Sequence, residues 1–78
     1  MPANLSDPQA KFCLGTYIKY ARRALFLTQE ELSKKAGITQ AFLSRIEQGN
    51  QEPSFDTLKA LAEAMSCDLI IEFKLRNE

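Results

Sequence analysis

Residues 28–49 have the pattern of two short helices joined by a tight turn, and this pair limits what the rest of the chain can fold into. Thr28 can cap the first helix, and Glu31, three residues later, completes the reciprocal pairing of a capping box. Thr39 can cap the second helix. Gly37 lies between them, and glycine takes the left-handed conformation that often ends a helix without steric cost. The sequence therefore predicts two helices with a turn at Gly37.

One face of this helix pair is apolar and needs other helices to cover it. Its inward residues are Leu32, Ala36, Ile38, Leu43 and Ile46, with the small Ser33 where the two helices would press together. A preceding helix is expected over residues 8–25, with Leu14, Tyr17, Ile18, Ala21 and Leu25 at helical spacing. A following helix, capped by Ser54 and ending near Ser66, has the apolar residues Phe55, Leu58, Leu61, Ala62 and Met65. We expect four helices in one small domain.

The last stretch of the chain changes from helical to twofold periodicity. Its apolar face consists of Leu69, Ile71, Phe73 and Leu75. Alternation of this kind predicts a β-strand, and a single strand has no partner within a helical chain. The simplest partner is the same strand of a second copy, and the alternative is a disordered tail. We therefore expect a frayed N-terminus over residues 1–7, a helical domain over 8–66 and a dimerisation strand over 67–78.

The charges of the chain sum to zero but are unevenly distributed. Residues 11–45 hold seven bases and two acids, whereas residues 46–78 hold three bases and seven acids. A basic half can face phosphates, while an acidic half can face away or face a basic protein.

Residue types give little support to catalysis or to a metal site. The chain has no histidine, and its two cysteines, Cys13 and Cys67, lie far apart in the sequence. This argues against a zinc site and favours two reduced, semi-buried thiols in a cytoplasmic protein. No apolar run reaches membrane-spanning length, and the N-terminus does not have the pattern of a signal peptide. We expect a protein that is not an enzyme and needs no cofactor.

Residues from about Leu14 to Met65 resemble the helix-turn-helix domain of the Xre family, the phage-repressor and Cro-like DNA-binding proteins. The resemblance rests on Thr28-Gln29, Gly37, Ile46-Glu47-Gln48-Gly49 and Pro53-Ser54, in that order and at the expected spacing. It implies a compact, mainly α, four-helix domain of the lambda-repressor type. The second helix of the pair would enter the major groove of double-stranded DNA.

The resemblance also implies which residues meet DNA. The base-contacting positions of the family correspond to Gln40, Ala41, Ser44 and Arg45, where an amide can pair with adenine and a guanidinium with guanine. The positions expected at the DNA backbone or beside it are Gln29, Thr39, Phe42, Asn50 and Gln51, with Phe42 expected as an exposed ring. Arg22 and Glu47 correspond to a structural ion pair of the family. The alternative is that both are solvated surface charges.

Two features depart from the common pattern of the family. Phe26 stands where the family usually has glycine or a small polar residue, and a phenylalanine with a positive φ would be strained. Either the first helix continues past this point, or Phe26 packs on something outside the monomer. The C-terminal strand replaces the fifth helix of many Xre domains.

This ending resembles antitoxins of the HigA and HipB kind, which dimerise partly through such a strand. The resemblance implies an autorepressing antitoxin of a type II toxin-antitoxin operon, with a homodimer bound to a palindromic operator and a cognate toxin as a further partner. One alternative is a stand-alone phage- or plasmid-type dimeric repressor. Another is a protein-interaction adaptor that has lost DNA binding.

Overall fold

The computed structural model of the protein describes residues 10–71, 73, 75 and 76. Within this part of the chain there are four α-helices: α1 (Ala10–Ala24), α2 (Gln29–Ala36), α3 (Gln40–Glu47) and α4 (Phe55–Ala64). The expected four-helix, mainly α architecture is confirmed. The frayed N-terminus expected over residues 1–7 and the helix start expected at residue 8 lie outside the described residues.

The three shorter helices begin at the hydroxyl residues that the sequence indicates. The Oγ1 of Thr28 accepts the backbone N–H of Glu31 at 3.0 Å, and the Glu31 carboxylate accepts the backbone N–H of Thr28 at 2.9 Å. This second bond is the main reason that the pKa of Glu31 lies below its usual range. Thr39 and Ser54 cap α3 and α4 by accepting the backbone N–H three residues later. The predicted capping box and both other caps are confirmed.

Two turns contain a residue in the left-handed conformation. Gly37 ends α2 with φ 73°, as the sequence predicts. Phe26 also has a positive φ, of 57°, between α1 and α2. The interpretation that α1 continues past Phe26 is therefore wrong, because the helix ends at Ala24. The phenyl ring is 93% exposed, and its packing on something outside the monomer stays a prediction.

The core is enclosed by all four helices. Its fully buried side chains are Leu32, Leu43, Ile46 and Leu61, and Ile18 and Met65 extend the same cluster. Each such side chain contributes about 1.5–3 kcal/mol through removal from water. Leu25, Tyr17 and Phe55 were expected in the core but are more than a third exposed. Leu25 lies beyond the end of α1 and Phe55 is the first residue of α4, so both fall at the margin of the core.

α1 approaches the end of α3 very closely at Gly15. A Cβ atom at this position would overlap the carbonyl oxygen of Ile46 and lie 3.0 Å from that of Glu47. These neighbours are backbone atoms, which cannot rotate away as a flexible side chain can. The absence of a side chain at Gly15 is therefore what allows α1 to lie against the last turn of α3.

The described residues after α4 form no strand in the single chain. Residues 72, 74, 77 and 78 of the predicted strand lie outside the described part, and the described residues of the strand are exposed, with Phe73 97% and Leu75 100% accessible. Pairing of this segment would require a second copy, so the dimer strand stays a prediction. Cys67 is exposed rather than semi-buried. Among the described helices, none has the length and apolarity needed to cross a membrane.

Candidate nucleic-acid interface

α3 has one buried side and one exposed side. Leu43, Ile46 and Glu47 are buried, whereas Gln40, Ala41 and Arg45 are exposed. The exposed residues lie at the start of the helix and one turn further on, so they share a face. This face offers an amide, a methyl group and a guanidinium, which are the groups that read base edges in the major groove.

Phe42 is oriented differently from the sequence expectation. It is half-buried and packs against the core cluster instead of standing exposed on the helix. The reason is that α3 turns its Leu43 and Ile46 side inward, which brings the ring of Phe42 to the core margin. The guanidinium carbon of Arg45 lies 5.9 Å from the ring centroid of Phe42, within range of a cation–π contact. Phe42 can therefore orient Arg45, and its own contact with DNA stays a prediction.

A short series of side-chain hydrogen bonds continues from α3 into the loop that follows it. Asn50 donates through Nδ2 to the Oε1 of Gln48 at 3.2 Å, and Gln48 donates through Nε2 to the Oγ of Ser44 at 3.1 Å. Gln48 is exposed and was not among the residues expected to meet DNA. The signal was present in the sequence, because residues 44 and 48 are four apart and lie on the same helical face as the expected base readers.

The other loop and cap residues have more local roles. Thr39 is exposed, and its hydroxyl is occupied by the cap of α3. Gln51 is half-buried and donates to the backbone carbonyl of Glu52 at 3.5 Å. Both lie at the ends of α3 or just beyond it, beside its exposed face, and their DNA contacts stay predictions.

Arg22 and Glu47 form a buried bidentate ion pair that joins α1 to α3. The Nε of Arg22 donates to Oε2 of Glu47 at 2.8 Å, and Nη2 donates to Oε1 at 3.0 Å. A third donor, Nη1, reaches the carbonyl oxygen of Leu27 at 2.8 Å. The hydrogen bonding to Glu47 raises the pKa of Arg22 further, against the opposing effect of burial. Both residues are less than a tenth exposed, so they are not solvated surface charges.

Gln29 joins α2 to the same pair. Its Nε2 donates to Oε1 of Glu47 at 3.0 Å, so the carboxylate receives donors from two helices. An amide nitrogen has two donor hydrogens, and one remains available for a phosphate. α1 and α2 are thus both joined to α3 through the carboxylate of Glu47.

The helix-turn-helix family model HTH_3 matches residues 18–70 of the chain. The chain belongs to the Xre-like helix-turn-helix family. The resemblance seen in the sequence is confirmed, and this family consists of DNA-binding regulators of transcription. α2 and α3 are the two helices of the helix-turn-helix, and the exposed face described above belongs to the second of them.

Curated relatives agree with this assignment. The ImmF control region 10 kDa protein of Bacillus phage phi105 is 39% identical over 56 residues, which cover 72% of this chain and 62% of that protein. The immunity repressor protein of the same phage is 38% identical over 52 residues, covering 67% of this chain and 36% of the repressor. The HTH-type transcriptional regulator y4dL of Sinorhizobium fredii is 35% identical over 54 residues, covering 69% of this chain. The chain spans only 28% of y4dL.

Solved structures share the fold of this Xre-like chain. The restriction-modification controller protein C.AhdI from Aeromonas hydrophila superposes with a TM-score of 0.72 at 24% identity, covering 73% of this chain and 86% of the controller. The clp gene regulator ClgR from C. glutamicum superposes with a TM-score of 0.74, also at 24% identity, covering 76% of each chain.

Proposed function

We propose that the protein is a sequence-specific repressor that binds its operator through α3. The observation that carries this proposal is the exposed trio Gln40, Ala41 and Arg45 on a helix whose opposite side is buried and joined to α1. In the proposed complex, Gln40 pairs with adenine and Arg45 with guanine, while the methyl of Ala41 contacts a thymine methyl. Gln29, Asn50 and Gln51 contact the phosphate backbone.

The arrangement of the site supports this mechanism. A base-reading helix must hold its register on DNA, because a displacement of one base step changes every contact. The Arg22–Glu47 pair and the bond from Gln29 to Glu47 fix α3 against both α1 and α2. The cation–π contact of Arg45 with Phe42 limits the conformations of the guanidinium before DNA arrives, which lowers the entropy cost of binding.

We further propose that the protein works as a two-fold dimer joined through residues 69–75. The support is the exposed apolar segment after α4, which leaves Leu69, Ile71, Phe73 and Leu75 more than a third accessible in the single chain. Two recognition helices related by a two-fold axis require inverted half-sites about one helical turn apart, roughly 34–36 Å. The expected operator is therefore a short palindrome with an adenine and a guanine in each half.

Replacement of Arg45 by alanine tests the reading mechanism. We expect Arg45→Ala to cost about 1–3 kcal/mol at the operator and to relax the base preference at one step. The measurement is a fluorescence-anisotropy titration with the operator, with single-base variants of it and with random duplex. Lys59→Ala, which removes an exposed cation on α4, is the control. An equal loss for Arg45→Ala on operator and random duplex would contradict base reading by Arg45.

The dimer is tested by Ile71→Asp and by truncation after Cys67. Both changes should give monomers in sedimentation experiments and should weaken operator binding, because two linked half-sites bind more tightly than one. Neither should disturb the helical circular-dichroism spectrum, since Ile71 and the other described residues after Cys67 lie outside the core. A monomer of the unaltered chain at micromolar concentration would contradict the dimer.

A second candidate function is an autorepressing antitoxin of a type II toxin-antitoxin operon. It is favoured by the excess of acidic over basic residues in the range 46–78, which can attract a basic protein, and by the exposed apolar C-terminal segment. The phage relatives favour the alternative, a stand-alone repressor of the phage type. Co-purification from the native operon separates the two. Recovery of a protein encoded next to this one supports the antitoxin, whereas recovery of operator DNA alone supports the stand-alone repressor.

A further inference from the structure

A cleft of about 340 Å³ lies between the outer side of α1 and the end of α3. Its lining residues are Thr16, Lys19, Tyr20, Arg23, Glu47 and Gln48. We propose that this cleft binds a phosphodiester group of the DNA backbone, so that α1 contacts the operator beside the base-reading face of α3. The inference rests on the proposed DNA-binding function and extends it to a helix outside the helix-turn-helix.

The charge of the cleft suits an anion. Lys19 and Arg23 are four residues apart on α1, so their side chains lie on one face of the helix. Within the described part of the chain, neither is paired with a carboxylate. Glu47 is the one acidic residue in the described lining, and its carboxylate is already occupied by Arg22 and Gln29. Two cations therefore face the cleft without a compensating anion.

The hydrogen-bonding groups of the cleft suit a phosphate as well. Tyr20 lines the cleft and is 65% exposed. It stands between Lys19 and Arg23 in the sequence of α1 and contributes a phenolic hydroxyl. Tyrosine hydroxyls and glutamine amides are common donors to phosphate oxygens, alongside lysine and arginine. Gln48 adds such an amide from the end of α3.

The position of the cleft favours DNA over a small anion or an acidic protein. Gln48 lines the cleft and also bonds to Ser44 on the exposed face of α3, so the two surfaces are continuous. A duplex seated on α3 necessarily brings backbone phosphates to the edge of that face, because each groove is bounded by its two phosphate strands. The cleft therefore lies where the DNA backbone is expected.

The cleft is held rigidly relative to the base-reading residues. Gly15 and Arg22, on the adjoining face of α1, fix that helix to α3 through the close approach to the backbone of Ile46 and Glu47 and through the buried ion pair. A phosphate contact at a fixed distance from base-reading groups sets the register of a protein on the duplex. The cleft would thus set the position of α3 along the groove.

The test compares Lys19→Ala/Arg23→Ala with Lys59→Ala and Lys19→Arg/Arg23→Lys. We expect the first variant to bind the operator at least about tenfold more weakly at moderate salt. Its plot of log affinity against log salt should become shallower by about 0.9 for each phosphate that the variant no longer neutralises. The Lys59→Ala protein should stay within about twofold of the unaltered protein, and the charge-conserving variant should keep the full slope. Circular dichroism checks that every variant is folded.

Ethylation interference on the operator then locates the contact. At least one ethylated phosphate beside each half-site should interfere with binding of the unaltered protein and no longer with that of Lys19→Ala/Arg23→Ala. Ethylation of the phosphates assigned to Gln29, Asn50 and Gln51 should interfere with the binding of both proteins. If this variant keeps the affinity and slope of Lys59→Ala, the inference is wrong. That result together with inorganic phosphate binding by NMR titration would identify a free-anion site instead, and binding of an acidic peptide would identify a protein site.

Failure of the inference is distinguishable from failure of the proposed function. If the unaltered protein binds DNA and Arg45→Ala relaxes its specificity, an unchanged salt slope for Lys19→Ala/Arg23→Ala overturns the cleft alone. If the unaltered protein binds no DNA, both proposals are wrong.

Discussion

The turns on either side of α2 have nearly the same backbone shape but reach it by different means. Gly37 has φ 73° and open space around the position of a Cβ atom, so the residue itself makes the conformation inexpensive. Phe26 has φ 57°, which costs a residue with a Cβ atom about 1–2 kcal/mol. The turn after α2 is set by its own residue, whereas the turn before α2 must be imposed by its surroundings.

The hydrogen bonds of the Phe26 turn show what imposes it. The N–H of Phe26 donates to the carbonyl of Arg23 at 2.9 Å, and the N–H of Leu27 donates to that of Arg22 at 3.1 Å. The guanidinium of Arg22 returns a bond to the carbonyl of Leu27 at 2.8 Å. Since Arg22 also bonds Glu47, the buried ion pair stabilises the first turn as well as the contact of α1 with α3. Strain can persist in a turn that is held this firmly.

The largest effect should come from breaking the ion pair on which the Phe26 turn depends. Glu47→Ala leaves the guanidinium of Arg22 buried without its carboxylate, and we expect a loss of about 3–5 kcal/mol in the free energy of unfolding. Urea denaturation measures it, with the exposed Glu63→Ala as control. A double-mutant cycle with Arg22→Ala should give a large coupling energy. Coupling close to zero would mean that the pair does not hold the turn.

A smaller effect is expected at the Gly37 turn, whose conformation depends on its own residue. Gly37→Ala should cost about 1–2 kcal/mol, because alanine must take a positive φ and nothing crowds its methyl group. Gly37→Asn should cost less, since asparagine tolerates the left-handed region better than alanine. Thermal melts of the two variants give the comparison. Equal losses for both substitutions would point to a crowded site and not to backbone strain.

The smallest effect should appear on substitution of Phe26 itself. Phe26→Gly relieves the strain of a left-handed phenylalanine but adds the backbone entropy of glycine, so we expect a gain of at most about 1 kcal/mol. Phe26→Ala removes the ring and keeps the strain, and should leave the stability nearly unchanged because the ring is exposed. A loss of stability for both variants in urea denaturation would show that the ring makes contacts, as packing outside the monomer requires.

The parts of the fold that the sequence predicted well are those with local causes. The caps at Thr28, Thr39 and Ser54 and the turn at Gly37 depend on residues within four positions of one another, so their signals are readable in order along the chain. The ion pair joins residues 25 positions apart. No local pattern indicates it, and it was expected only through resemblance to a family.

The features that the sequence missed depend on how the helices are rotated and packed. The half-burial of Phe42 follows from the side of α3 that faces the core, and the exposure of Leu25 and Phe55 follows from where their helices end. Gln48 is exposed beside α3 although Glu47 and Gly49 on either side of it are buried, and this too follows from the rotation of the helix. The positive φ of Phe26 contradicts its residue type. The resemblance to the family marked this position as one that usually holds glycine, but the hydrogen bonds that impose the conformation appear only in the structure.

The close approach at Gly15 has a consequence for how this chain can vary over generations. The space that a methyl group would need is filled by the carbonyl groups of Ile46 and Glu47. Any substitution at this position adds at least that methyl group, so α1 would have to move away from the last turn of α3. We expect a library randomised at position 15 and selected for folding to return glycine alone, while neighbouring exposed positions such as 20 and 23 accept many residues.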